Sequence, residues 1–422
     1  MNNINNKNMK VPEGWKKGKV KNLFYDGRGR IISEQEIKEK EGIYPVYSSQ
    51  TENMGELGRI NTYDFEGEFI TWTTDGANAG TVFYRKGKFN CTNVCGFLKP
   101  KSDEADVLFF SYYLSTIAKN YVSYIGNPKL MNYIFKEIPI LIPPLPEQQK
   151  IAEILETVDR AIEKTDKIVE KYKRIKQGLM QDLLTRGIDE NGKIRSEKTH
   201  KFKNSPLGRI PEEWEVVRLG EVIYRIENGI WGDEIDTSGD IYPVIRSTEI
   251  NVEGKIDLGS VAYRKIPKKK IERYKLSSGD ILIVSSSGSL NLIGRTAIIK
   301  NISQREILLF SNFMIRIRPS GIDSYFLFYF LKSDNYYLFL NSFQETTTGL
   351  RNFPKKEFLD LQIPLPPLPE QQRIAEILSQ IDNTIEKEEA YKQKLERIKK
   401  GLMEDLLTGR VRVNELIKEK EV

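Results

Sequence analysis

The sequence predicts an α+β protein: two mixed α/β globular domains in tandem, each followed by a long helix, with the helices pairing as an antiparallel coiled coil of pseudo-twofold symmetry. Three observations lead there. Residues 146–185 recur at 369–408 without a gap, and 24 of the 40 pairs are identical, so one unit is written twice. A weaker echo precedes each copy: Pro12-Glu13-Gly14-Trp15 returns as Pro211-Glu212-Glu213-Trp214, and Tyr44-Pro45-Val46 as Tyr242-Pro243-Val244. The strongly repeated segments carry a helical periodicity sustained over their whole length, which separates a long helix from a globular domain in each unit.

In chain order, residues 1–10 read as a flexible start and residues 11–145 as the first globular domain. Short runs rich in β-branched and aromatic residues, 68–73, 280–284 and 312–318, read as strands, the first two preceded by Gly-Glu or Gly-Asp turns. Residues 107–122 and 325–343 have aromatic and aliphatic residues at helical spacing and read as packed helices. Residues 186–209 are polar, contain Asp189-Glu190-Asn191-Gly192, and read as a linker with a hairpin-type turn. The second globular domain then covers 210–368, the second helix 369–408 and a tail 409–422.

Pro-Pro-Leu-Pro stands before each helix, at 143–146 and 366–369, and gives it a stiff, extended lead-in. In the first helix (146–185) Ile151, Leu155, Val158, Ile162, Val169, Tyr172, Leu179 and Leu183 fall on a spacing of three and four, with Ile154, Ile168 and Ile175 widening the stripe. Its copy shows Ile374, Leu378, Ile381, Ile385, Leu395, Ile398, Leu402 and Leu406. A helix of this length spans about 57 Å, too long for one face of a small domain, so the two stripes bury most economically against each other. Gly178 and Gly401 fall inside the pattern and predict a close crossing or a bend there.

Composition narrows the function. No run of 18 apolar residues exists, and the first ten residues lack the apolar stretch of a signal peptide, so a cytoplasmic protein without a membrane partner is expected. Cys91 and Cys95 are too few for a disulfide framework and, with His200 as the sole histidine, supply no four-ligand zinc set; no metal and no cofactor is expected. Residues 288–296 miss the spacing and the lysine of a phosphate loop, Gly27-Arg28-Gly29 lacks the third glycine of a dinucleotide fold, and no Asp/Asn-Pro-Pro-Tyr/Phe sequence for adenine methylation occurs. The chain reads as non-catalytic. Its net charge of +6 is not concentrated in the globular domains, so binding to DNA would rest on local clustering, of which Arg264, Lys265, Lys268, Lys269, Lys270, Arg273 and Lys275 form the plainest case.

The doubled segment Leu145-Pro146-Glu147-Gln148-Gln149-Lys150-Ile151-Ala152-Glu153-Ile154-Leu155, with its copy at 368–378, resembles the specificity subunit of type I restriction-modification enzymes. The resemblance covers nearly the whole chain in the family's order: two target-recognition domains, each followed by a helix. It implies a subunit without catalysis that reads a bipartite site in double-stranded DNA, binds modification (methyltransferase) subunits, expected to be two, and through them recruits restriction (translocase and nuclease) subunits. Geometry adds an expectation of its own. Antiparallel helices would make a caliper reaching at most about 17 base pairs, and the 24 extra residues of the second unit predict unlike half-sites. The alternative is a coiled-coil adaptor that holds two protein-binding domains and touches no nucleic acid.

Because the family's recognition domains vary, contact residues are argued from chemistry: polar turns between strands, whose side chains match base edges. In the first domain these are Ser48, Ser49, Gln50, Thr51, Thr73, Thr74, Asn78, Lys129 and Asn132. In the second they are Arg246, Ser247, Thr248, Ser285, Ser286, Ser287, Ser289, Asn291, Arg295, Thr347, Thr348, Arg351 and Asn352, with Lys268, Lys269 and Lys270 assigned to phosphates. The opposing explanation for each is ordinary turn chemistry, in which Ser, Thr and Asn bond nearby backbone.

Overall fold

A computed structural model of the chain describes residues 11–235, 240–288, 292–303, 305–344 and 352–418. The chain divides into two compact units, Met1–Lys167 with Glu389–Val422, and Ile168–Glu388. Each unit therefore combines one globular part with half of each long helix, an interleaving that the linear reading of domain after domain did not contain.

In the first unit, strand Lys16–Lys19 pairs antiparallel with Pro139–Ile142, the segment just before the first long helix. The second unit repeats the closure with Glu215–Arg218 on Gln362–Leu365. The start and end of each globular part are thus tied together at the lead-in prolines. Between them the first unit carries a six-stranded sheet in the order Phe24–Arg28, Cys95–Pro100, Phe65–Thr73, Val82–Cys91, Glu41–Tyr47, Glu56–Ile60, with one parallel pair, Val82–Cys91 beside Glu41–Tyr47. The second unit splits the corresponding strands into a four-stranded sheet (Ile223–Asn228, Met314–Pro319, Ile281–Val284, Thr296–Ile298) and a three-stranded one (Ala262–Lys265, Ile241–Ile245, Leu309–Phe310). Residues 107–122 form an α-helix only over Val107–Ile117, followed by a 3-10 turn, and residues 325–343 form two helices, Ser324–Phe330 and Asp334–Gln344. The break in the second pair follows from a tight turn in which Ser333 N donates to Phe330 O and Tyr336 N to Ser333 O.

The long helices run Leu145–Thr185 and Leu368–Leu406. In the first unit they run antiparallel, fixed by ion pairs Lys399–Asp159 and Lys392–Asp166, both 2.6 Å; seven residues forward on one helix match seven back on the other. In the second unit Lys176–Asp382, also 2.6 Å, gives the same sense. Of the predicted stripe, Ile151, Leu155, Val169, Leu183, Ile374, Leu378, Ile385, Leu395 and Leu406 are buried, while Val158, Ile162, Tyr172, Leu179, Ile381 and Leu402 are half-buried. Ile175 and Ile398 are exposed and do not belong to the seam. The expected close crossing at Gly178 and Gly401 is absent: a Cβ added to either would meet nothing within 4 Å, and the helix continues through both. Much of the stripe faces the globular parts instead. Ile151 and Leu155, joined by Leu406, Leu407 and Val413, pack on Phe24, Trp72, Phe109, Phe110 and Phe135. Ile374 and Leu378, joined by Leu183 and Leu184, pack on Trp214, Phe326, Tyr329, Tyr336 and Phe358.

The Glu and Gln of the repeated motif are the polar centre of each joint. Glu147, 1% exposed, accepts from the Trp15 indole N–H at 2.8 Å and from Arg412 at 2.7 and 2.8 Å. Glu370 accepts from the Trp214 indole at 3.1 Å, from the Ile188 amide at 2.9 Å, and from the Arg195 guanidinium. In the first turn of a helix, both carboxylates also meet the positive end of its dipole. The neighbouring Gln148 and Gln371 each accept, at 2.8 Å, the amide of the Asp that caps the next helix, Asp106 and Asp323. A second joint joins Tyr112, Asp159 and Lys399, and Tyr329, Asp382 and Lys176: each phenol donates to its Asp, at 2.6 and 2.8 Å, and each Lys lies over the same ring. Burial, and secondarily the Asp carboxylate, pushes the Tyr112 phenol upward.

The segment after the first helix packs against the second unit's joint. Asp189 N donates to Lys193 O in the predicted hairpin turn, Ile188 is buried, and Arg195 reaches Glu370. Gly187, at φ +63°, sits so close that a Cβ would fall 2.5 Å from the Trp214 ring. Glu370→Ala should leave the Arg195 guanidinium and two N–H donors without their acceptor, a loss of about 3 to 5 kcal/mol for a broken buried pair. Urea unfolding of the variant should show it, and a midpoint equal to wild type would contradict the assignment.

Candidate nucleic-acid interface

Most candidate side chains of the first globular part lie together at one place. Ser49 Oγ donates to Asp75 O at 3.3 Å, Asn78 Nδ2 donates to Thr51 Oγ1 at 2.9 Å, and Thr92 Oγ1 donates to Ser48 Oγ at 3.0 Å. Asp75 and Lys129 form an isolated antiparallel bridge, and Gly76 N donates to Pro128 O. Gln50 donates to the backbone of Glu56 at 2.6 Å, which fixes the turn rather than leaving the amide free. Asn132, three residues past Lys129, is tied to Gly27 O and accepts from Arg28.

The second globular part builds the same place with different side chains. Backbone bonds establish the equivalence: Thr92 N to Tyr47 O matches Ser311 N to Ile245 O, Thr74 N to Val94 O matches Ser285 N to Phe313 O, and Leu130 N to Thr74 O matches Phe353 N to Ser285 O. The Asp75–Lys129 bridge corresponds to Ser286–Asn352, where Ser286 Oγ donates to Asn352 Oδ1 at 2.7 Å. Arg246, Ser247 and Thr248 follow strand Ile241–Ile245 as Ser48 and Ser49 follow Glu41–Tyr47. Arg295 approaches from the side, donating to Ile250 O at 3.3 Å, and Ser287 lies next to Ser286.

Several predicted contacts also carry bonds within the fold. Thr73 and Thr74 are buried, and their hydroxyls donate to Asn78 O and Val94 O; Ser285 is buried at the matching position. Arg246 is engaged by the buried Glu249, Nε to Oε1 at 2.7 Å, and by Ser260 O, while its side chain stays 42% exposed. Thr248 also donates to Glu249. Lys268, Lys269 and Lys270 are exposed but do not join the cluster: Ile241 pairs with Lys265, which puts them past the opposite end of the five-residue strand from Arg246, roughly 15 Å away at 3.3 Å per residue. Ser289, Asn291, Thr346, Thr347, Thr348 and Arg351 fall outside the described residues.

Sequence reasoning missed Asn93 and Asn312. Both are exposed at the centre of the equivalent turns, in Thr92-Asn93-Val94 and Ser311-Asn312-Phe313. A shared hydroxyl–Asn–apolar triplet was the available signal, and three residues are too few to stand out.

The type I restriction modification DNA specificity domain family matches this chain twice, over residues 12–171 and 211–397. The chain belongs to the type I restriction-modification specificity subunits. A specificity subunit of the MjaVIII type I restriction enzyme from Methanocaldococcus jannaschii is 31% identical over 97% of this chain and 95% of its own length. A Mycoplasma pneumoniae protein, the N-terminus of a type I specificity subunit, is 49% identical over 33% of this chain and 75% of its own. The crystal structure of an S subunit from M. genitalium has the same fold, with a TM-score of 0.63 at 16% identity over 95% of this chain and 97% of that one. The specificity subunit is the non-catalytic, DNA-sequence-recognising member of its system, which sets aside the adaptor that touches no nucleic acid. No helix among the described residues is long and apolar enough to cross a membrane.

Thr74→Val removes the hydroxyl bonded to Val94 O and should cost about 1 kcal/mol of stability. Asn93→Ala should leave stability within about 0.5 kcal/mol, as exposed substitutions do. Thermal unfolding of both variants checks the division; the reverse order would refute it.

Proposed function

We propose that this specificity subunit reads a bipartite, asymmetric site in double-stranded DNA, one half with each globular part, and that the long helices set the spacer. It would dock modification (methyltransferase) subunits, two by the count of its repeated units, and through them restriction subunits. With the DNA it reads, it would work in the cytoplasm. The observation that carries this reading is the equivalent position of the two polar clusters, held by the same backbone bonds but furnished with Asp75 and Lys129 in one unit and Ser286 and Asn352 in the other. Identical supports with unlike side chains suit one mode of docking with two base preferences.

The spacer claim is tested by lengthening both helices in register. The ion pairs of the first unit place Glu163 opposite Leu395. Seven residues inserted after Glu163, and seven after Lys394, keep the apolar stripe in phase while adding about 10 Å. Methylation-sensitive sequencing in a host with the complete system should then report the same half-sites with a spacer longer by about three base pairs. An unchanged spacer would sink the claim.

Lys268, Lys269 and Lys270 test holding against reading. Changing all three to Gln should weaken binding to every sequence alike and flatten the salt dependence by up to about three units of slope. A changed base preference in that variant would refute the phosphate assignment.

A further inference from the structure

Next to the polar cluster of the first globular part, residues 123–129 form a tight hairpin. Ser123 and Lys129 exchange both backbone bonds, 2.8 and 2.9 Å, and Gly126 takes φ +73°, the left-handed turn that glycine allows. At its tip Tyr124 and Ile125 are 69% and 94% exposed. Single exposed apolar residues are common on any protein. These two differ because they are adjacent, raised on a closed hairpin, and anchored at its base to the loop carrying Asp75 and Asn78.

We propose that this hairpin enters the major groove and that Ile125 packs on the 5-methyl group of a thymine; the proposal rests on the DNA-reading function above and deepens it. The major groove, about 12 Å wide, admits a whole two-stranded ribbon and so has room for a loop closed by a single bridge, and it alone displays the thymine methyl, an apolar group among the hydrogen-bonding base edges. An aliphatic side chain offers no hydrogen bond, so contact with that methyl is the way Ile125 contributes to base choice. Asp75, Asn78 and Lys129 stand at the base of the same hairpin, where they meet neighbouring base edges or phosphates.

The test uses the full subunit in complex with its methyltransferase partner, on synthetic duplexes of the site found by sequencing. Each thymine of the first-domain half-site is replaced in turn by deoxyuridine, which deletes only the methyl. One replacement should weaken wild-type binding about three- to fivefold, the worth of one buried methyl group. Ile125→Ala, harmless to folding at so exposed a position, should lose a similar factor on the thymine duplex and no longer distinguish thymine from uracil there. A half-site without thymine, wild-type indifference to every replacement, or an Ile125→Ala variant that keeps the full uracil penalty would each overturn the proposal. So would an Ile125-dependent rise in 2-aminopurine fluorescence without any uracil effect, since that marks a wedge between bases. The broader reading fails separately: Asn78→Ala and Lys129→Ala that both leave base preference untouched count against DNA reading by this cluster, whatever Ile125 does.

Discussion

A buried carboxylate in the first turn of each long helix is the constraint on which the fold depends. Glu147 and Glu370 each collect an indole N–H and a guanidinium, and the contributing residues come from distant parts of the chain: Trp15 and Arg412 for one, Trp214 and Arg195 for the other. Taking a carboxylate out of water is costly unless its lone pairs are filled. The requirement therefore fixes three segments at once: the strand entering the globular part, the start of its own helix, and the segment leaving the other helix. Only an antiparallel arrangement brings that last segment to the right place within each unit. Pairing sense is thus specified by a few polar contacts as much as by the apolar seam.

This explains why the helices repeat so faithfully while the globular parts do not. Glu147, Gln148, Asp159 and Lys176 are identical in the copy as Glu370, Gln371, Asp382 and Lys399, and each makes the same bond in its own unit. A joint with defined donors and acceptors tolerates no substitute, whereas loops beyond the sheet strands carry no such demand. In the globular parts the backbone bonds persist, Thr74 to Val94 and Ser285 to Phe313, while the side chains above them change.

Legibility in the sequence follows the same division. The repeat, the helix bounds and the strands at 68–73 and 280–284 were readable because apolar periodicity and gapless identity are local signals. What the periodicity could not say was which neighbour the stripe faces: Ile151 and Ile374 read as seam residues but pack into globular cores, because a 3.6-residue period records a buried face and not its partner. Glycine within the helices misled for a related reason, since an exposed glycine and a crossing glycine look alike in one dimension. Among candidate contacts, Thr73 and Thr74 prove to be buried, because residues able to read a base edge are equally able to hold a turn, and the sequence does not separate the two. Asn93, Asn312 and Ile125 were passed over, the last because an aliphatic residue between Tyr124 and Gly126 reads as a stray core position.

The near-neutral balance of both globular parts then becomes a functional property. Phosphate neutralisation supplies sequence-independent affinity, and a strongly basic subunit would spend its time on the whole chromosome. Among the described residues the cations assigned to phosphates, Lys268, Lys269 and Lys270, stand apart from the polar cluster of their own unit, so the proposed reading surface there depends on base edges for its choice of sequence. On the proposed reading, sequence-independent holding falls to lysines outside the clusters, while the choice of site stays with two small, differently furnished clusters on a common frame. Separating holding from reading in this way allows one cluster to change its side chains without altering the joint at Glu147 or Glu370, and so without loosening the scaffold that positions the other.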